Sequence, residues 1–226
     1  MNHIPSSSPT RLSTYEQCKL RAWLQYGEKI PDPNPSPAAD RGTMIHKLAE
    51  DWLTVKNPDT PLPKELIKFD KELHKLLTLD FETEGEWGYD KEWEPTDWRT
   101  AWLRLKLDVC VFLSPTEILV IDFKTGARWG NEIKHAEQLL FYAAAVAARF
   151  PSAETIHTEL WYLDQDEITQ ATYPRQKALT ALARFNTRLV KMTKPQDFLP
   201  NPNVFSCKYC PYGPWGTGHC TKGKRV

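Results

Sequence analysis

The chain of 226 residues carries 29 lysines and arginines against 29 acids, and 41% of its residues are apolar. This length supports a sizeable hydrophobic core, and one domain spanning residues 1–226 is expected. No apolar run nears membrane-spanning length, and the opening Met1-Asn2-His3-Ile4-Pro5-Ser6 lacks a charged stretch followed by an apolar one; both argue against insertion in a membrane or secretion and for a cytoplasmic protein.

Zero net charge conceals an asymmetry. Residues 40–94 hold fourteen acids and eight bases, whereas residues 174–226 hold ten lysines or arginines and one acid, Asp197. A basic terminal third suits phosphate binding, and a solvated helix face explains it equally well. The nine tryptophans are core residues, stacking platforms or both.

In chain order, Ser13-Thr14-Tyr15-Glu16 is a capping-box pattern that starts a helix carrying Cys18 and Trp23 and stopping near Gly27, in an N-terminal unit of residues 1–30. Four prolines between Pro31 and Pro37 predict a stiff loop. A helix from Asp40 to Lys56 places Met44, Ile45, Leu48, Trp52 and Val55 on one stripe, with His46 and Glu50 together on another face. A third helix, Lys64 to Leu79, reads as structural and completes a helical segment over residues 40–80. A core over residues 86–192 then opens with a strand from Glu86 to Trp93.

From Trp102 the even positions are Trp102, Arg104, Lys106, Asp108, Cys110 and Phe112, while Leu103, Leu105, Leu107, Val109, Val111 and Leu113 fill the odd ones. That pattern predicts a strand with one wholly apolar face. After a loop containing Pro115, Ile118 to Lys124 reads as a second strand with Asp122 and Lys124 on one face. The two strands bring Asp108, Asp122 and Lys124 towards one place. Charges on otherwise apolar strands need a reason, because an unpaired buried charge is costly. A divalent cation supplies one: magnesium takes carboxylates, waters and phosphate oxygens, polarises a phosphodiester and acidifies a bound water, while a nearby lysine orients that water. Taken alone, an Asp-x-Lys pair is more often an exposed ion pair on a hairpin.

Thr125 to Gly130 forms a loop in which Arg128 can clamp phosphate and Trp129 can stack on a base. A helix from Ile133 to Phe150 buries Leu140, Ala143, Ala144 and Ala147 and projects Gln138 and Tyr142, four apart, to one side. Two more strands, Ile156–Leu163 and Glu167–Tyr173, flank an Asp164-Gln165-Asp166 turn, and a basic helix runs from Arg175 to Met192. The pattern is α/β: a mixed central sheet with helices before, within and after it. In the Pro/Gly-rich tail over residues 200–226, Cys207-Lys208-Tyr209-Cys210 is followed by Cys220, and Cys18 lies near the other terminus. In an intracellular protein such a set binds metal more readily than it forms disulfides. Thiolates select iron-sulfur or zinc, and a zinc knuckle of Cys207, Cys210, His219 and Cys220 is the local alternative. Cys110, inside its strand, reads as a packed thiol.

Asp108, then Asp122-Phe123-Lys124, then a helix carrying Gln138 and Tyr142, preceded by Gly42-Thr43-Met44-Ile45-His46-Lys47-Leu48-Ala49-Glu50, resembles the PD-(D/E)XK nuclease superfamily, and within it the RecB-like branch of helicase-nuclease domains and CRISPR adaptation exonucleases. The resemblance implies a restriction-endonuclease-like fold and a Mg2+- or Mn2+-dependent DNA exonuclease acting on single strands or ends, with a helicase or recombination partner. It implies His46, Asp108 and Asp122 as metal ligands, with Asp108, Asp122, Lys124, Gln138 and Tyr142 as the catalytic set. Glu50 supports His46; Glu86 or Glu92 could add an acid, although their acid-rich surroundings favour solvated charge. Branch members with one cysteine before the nuclease core and three after it hold a 4Fe-4S cluster; Cys18, Cys207, Cys210 and Cys220 match that layout, which would tie the tail to the N-terminal helix. The other reading of the whole is a non-catalytic DNA-binding or scaffolding subunit that keeps the nuclease fold.

Overall fold

The computed structural model describes residues 2–33, 36–126 and 130–224. The first helix, α1 (Pro9–Gln17), is capped by Ser8, whose Oγ accepts the Arg11 N–H at 3.2 Å, and Pro9 takes the first helical position, where a missing N–H costs nothing. A single extended residue, Cys18, then separates it from α2 (Lys19–Tyr26). The one helix expected from Ser13 is therefore two: Ser8-Pro9 starts the helix a turn earlier, Ser13 lies inside α1, and the break falls on Cys18. Helix α3 (Pro37–Val55) buries Ile45, Ala49, Trp52 and Leu53. Met44 and Val55 of the expected stripe are instead 46% and 57% exposed, because α3 is turned so that His46 looks towards the sheet.

Where one structural helix is expected, a 3-10 turn (Lys64–Phe69) leads into a short α4 (Asp70–Leu76). Strand β1 (Asp80–Tyr89) begins well before the expected Glu86, and β2 (Pro95–Thr96) is a two-residue edge. The hairpin β3 (Leu103–Ser114) and β4 (Glu117–Lys124) follows as expected, then α5 (Glu132–Arg149), β5 (Thr155–Tyr162), β6 (Glu167–Pro174), α6 (Arg175–Thr193) and the five-residue α7 (Val204–Lys208). No described helix is long and apolar enough to cross a membrane.

The six strands form one mixed sheet in the order β2-β1-β3-β4-β5-β6, antiparallel except for β4 and β5, which are parallel and joined through α5. Each face carries its own core. On one, α5 and α6 pack over Leu103, Leu105, Leu107, Val120, Ile156 and Leu160; on the other, Ile45, Trp52, Leu66 and Leu73 pack over Val109, Val111, Ile121 and Phe123. Helix α5 is buried continuously from Phe141 to Ala147, and its run of alanines lets sheet and α6 approach from both sides. The buried Tyr89 hydroxyl donates to the Ala145 carbonyl at 2.9 Å.

Two further contacts fix the N-terminal helices. Ser7 forms an isolated bridge with Leu103: its N–H donates to Trp102 O at 2.6 Å, and its carbonyl accepts from Arg104 N at 2.9 Å. Arg188 of α6 pairs with Glu16 of α1 at 2.6 Å and with Glu137 of α5. Part of the basic terminal third is thus spent internally. Phe141 lies 4.5 Å from the Phe185 ring and 5.6 Å from Trp93. We expect Phe141→Ala to lower unfolding free energy by about 3–5 kcal/mol in urea titration, the range for emptying a buried aromatic site.

Candidate functional site

The site begins where two strands leave regular alternation. Thr83 pairs with Val109 and Gly85 with Leu107, so Glu84 stands across from Asp108. Glu84 adopts the left-handed region, φ 50°, which a side chain with a Cβ rarely enters. Around it the strands change sides. In β1, Phe81 packs in one core and Trp87 and Tyr89 in the other; in β3, Leu103, Leu105 and Leu107 face one core and Val109 and Val111 the opposite one. The wholly apolar face expected on β3 is therefore divided, and Leu113 is 40% exposed. The twist at Glu84 and Asp108 lifts both acids out of the ladder.

Asp108 is held by groups from two directions. Its Oδ1 lies 3.0 Å from His46 Nδ1 of α3, and its Oδ2 accepts the Phe123 N–H of β4 at 2.6 Å. One ligand atom each from His46, Glu84 and Asp108 lies within 4.8 Å of the others. Glu84 also meets Lys106 Nζ at 2.6 Å. Gly42, one turn before His46, comes so close to the strand end that an added Cβ would sit 3.0 Å from Thr125 Oγ1.

Asp122 is 6% exposed. Its Oδ1 accepts the Tyr142 hydroxyl at 2.5 Å and Gln138 Nε2 at 3.0 Å, and Gln138 also donates to the Tyr142 oxygen at 2.7 Å. Its Oδ2 is buried without a hydrogen bond and lies against the Lys124 ammonium. The i, i+4 spacing on α5 thus delivers two donors to one carboxylate oxygen and leaves the other turned away.

Electrostatics couple these groups. Burial raises the Asp108 carboxyl above its ordinary value, and the Asp122 charge adds to this against the His46 and Phe123 hydrogen bonds. Burial opposes a charge on His46, yet the hydrogen bond and charge of Asp108, with Asp122 behind it, carry the imidazole above its usual value. Burial and the neighbouring acids hold Tyr142 well above the tyrosine range, so it stays a donor. Such a pocket, with an imidazole and clustered hard oxygen donors, fits a divalent cation of the magnesium or manganese type.

The structure therefore brings together His46 with Asp108, and Asp122 with Lys124, Gln138 and Tyr142. Glu84 is the residue that sequence reasoning misses. Sequence pattern starts the strand at Glu86, and a left-handed glutamate has no local signature; only its register opposite Asp108 identifies it. Glu86 pairs across from Lys106, and Glu92 sits in a turn where its backbone N–H donates to Asp90 Oδ1 at 3.0 Å; neither joins the cluster. Glu50 does not support His46 but pairs with Lys47 at 3.1 Å. Arg128 and Trp129 lie outside the described residues. His135, not singled out by sequence, is buried 2.6 Å from the Tyr162 hydroxyl, and burial with the charges of Lys124 and Lys134 lowers its pKa.

All five cysteines are unpaired. Cys110 is packed in the core, its thiol pushed up to about 12 by burial. Cys18, Cys207, Cys210 and Cys220 line one cavity, where Cys18 Sγ accepts the Asn201 N–H at 3.4 Å and Tyr212 donates to Ile30 O at 2.8 Å. Among the described residues, no three of these sulfurs come within 4.8 Å of one another.

Fold and site together define an α/β protein with a metal-ready acidic and histidine cluster at the break of a mixed sheet. Residues 6–113 and 103–215 match the PD-(D/E)XK nuclease superfamily, and the chain belongs to that superfamily. A nucleic acid is the substrate class that this membership implies. No curated protein matches the chain. Among 24 similar chains of solved structure is the crystal structure of SSO0001, at 16% identity and a TM-score of 0.46 over 99% of this chain and 90% of that one.

Glu84→Gly separates strain from ligation. Glycine relieves the left-handed backbone, so stability should hold or rise by about 1 kcal/mol. Manganese affinity, followed by titration calorimetry, should fall.

Proposed function

We propose that the protein is a divalent-metal-dependent deoxyribonuclease of the RecB-like branch, acting as an exonuclease on DNA ends or single strands and working with a helicase or recombination partner. The observation that carries this reading is the convergence of His46, Glu84 and Asp108, beside a buried Asp122 whose second oxygen lies against the Lys124 ammonium. His46, Glu84 and Asp108, with Asp122 beside them, would hold a magnesium or manganese ion, which would supply Lewis acidity and an activated water at neutral pH.

The chain's own residues do the rest. Tyr142 and Gln138 fix Asp122 through Oδ1, so that Oδ2 keeps one direction. Lys124, on Asp122 Oδ2, places an ammonium beside the scissile phosphate, where charge grows in the transition state. His46 and the Phe123 N–H orient Asp108 in the same way, and burial strengthens each of these interactions by excluding water.

Cys18, Cys207, Cys210 and Cys220 hold a 4Fe-4S cluster in this reading. One observation supports a shared metal group: all four line one cavity. The cluster would join the break between α1 and α2 to the tail, closing a loop that spans most of the chain.

End-labelled single- and double-stranded DNA with manganese tests the activity. Asp122→Ala should abolish product release, and Lys124→Ala should lower kcat by roughly 100-fold or more while leaving KM nearly unchanged. Equal activity of the native protein and Asp122→Ala would overturn the assignment, and a native protein inert on every DNA form would favour the scaffolding subunit. Cys18→Ala should lose iron, its brown absorbance and much of its soluble yield. A soluble variant with full iron content would overturn the cluster, as would zinc in place of iron by mass spectrometry of the native protein.

A further inference from the structure

The cleft at Gln138 continues beyond Lys124. Pro9, Thr10 and Gln138 line both a cavity that holds Lys124 and Lys134 and a second cavity that opens on Arg11, Arg104 and Lys106. The second cavity is lined by three cations and no carboxylate. Lys106 reaches out of it to Glu84, but neither Arg11 nor Arg104 forms an ion pair among the described residues. Arg11 donates to the Ser6 carbonyl at 3.0 Å and Arg104 to the Arg99 carbonyl at 2.7 Å, and the Arg104 Nε is buried with no acceptor.

Two guanidiniums from separate elements, α1 and β3, are thus held near each other with no acid between them. Burial lowers the Arg11 pKa and the Arg104 charge lowers it further. An anion would relieve both effects, and the planar fork of arginine matches phosphate oxygens in pairs. Helix α1 points its N-terminal end, the positive end of its dipole, into the same groove. Aromatic rings accompany the cations: Arg11 lies 5.0 Å from the Tyr26 ring, and Arg104 lies 5.6 Å from Trp98, a half-buried ring on the connection between β2 and β3.

We propose that Arg11, Arg104 and Trp98 form a binding groove for a single nucleic-acid strand that runs over Gln138 into the reaction centre, the arginines taking its phosphates and Trp98 stacking on a base. A strand, rather than free phosphate, is favoured by the ring beside the cations and by the continuity of the groove with Lys124. This assignment rests on the nuclease reading for its direction, but its test does not require cleavage.

The test is anisotropy of a fluorescein-labelled oligothymidylate titrated with the full chain in EDTA across a range of salt. Arg104→Gln and Arg11→Gln should each reduce the slope of log K against log salt by about 0.7, the value for one phosphate contact on a single strand. Trp98→Ala should weaken binding by roughly tenfold while leaving the slope unchanged. Arg11 also anchors Ser6, so if Arg11→Gln fails to fold, Arg104→Gln and Trp98→Ala decide the matter, with thermal melts confirming their fold. Unchanged slope and affinity in these two folded variants would overturn the groove. An active nuclease with that result keeps its reaction centre, whereas an inert protein whose slope falls as stated keeps the groove and loses the nuclease assignment. Inorganic phosphate that competes at strand-like affinity, with no effect of Trp98→Ala, would show a free-anion site and overturn the strand.

Discussion

Carboxylates buried beside one another must be compensated, and much of this fold can be understood from how Asp108 and Asp122 are compensated. Each has one oxygen fully engaged by rigid donors: Phe123 N–H for Asp108, and Tyr142 with Gln138 for Asp122. The second oxygen of each meets a group that can carry positive charge, His46 or Lys124. Both layers around the sheet are therefore needed. Helix α3 serves one acid and α5 the other, and the hairpin between them carries both acids.

The same place is where the sheet changes character. Strands β3 and β4 pair from Val109 to Ser114 and part before Asp108, while β1 stays beside β3 and turns over at Glu84. A strand that kept strict alternation would hold its acids on one face. The left-handed step spends some backbone stability to set Glu84, Asp108 and His46 within reach of one atom-sized space. Pockets built at such irregularities are stiff, because packed cores on either side leave the strands little freedom to relax.

Period-two alternation in the sequence places Asp108, Asp122 and Lys124 on strands, and a spacing of four places Gln138 and Tyr142 on one helix side; the structure agrees with both. His46 stands on the polar side of an amphipathic helix, which by itself marks only a surface histidine; the Gly42-to-Glu50 context of the family resemblance is what singles it out. What local patterns miss is set by tertiary contacts. Cys18 interrupts a helix with neither proline nor glycine at the break, so nothing in Gln17-Cys18-Lys19 announces it. Met44 and Ile45 are equally apolar, and only the docking of α3 decides which is buried. Glu84 sits among other acids in Asp80-Phe81-Glu82-Thr83-Glu84-Gly85-Glu86, and its pairing partner alone distinguishes it. Global charge was also a poor guide, since Arg188 in the basic third is neutralised by Glu16 and Glu137 while the acid-free arginines lie in the first half of the chain.

The bridge from Ser7 to Leu103 has a bearing on solubility. Where β4 diverges, the first half of β3 would present bare amides and carbonyls to solvent, an open template onto which another molecule's strand could add. Ser7 occupies that template with two main-chain hydrogen bonds at 2.6 and 2.9 Å. The short peptide ahead of α1 thus acts as a plug against edge-to-edge self-assembly, so trimming it would reveal itself first as clumping of the protein, before any change in chemistry.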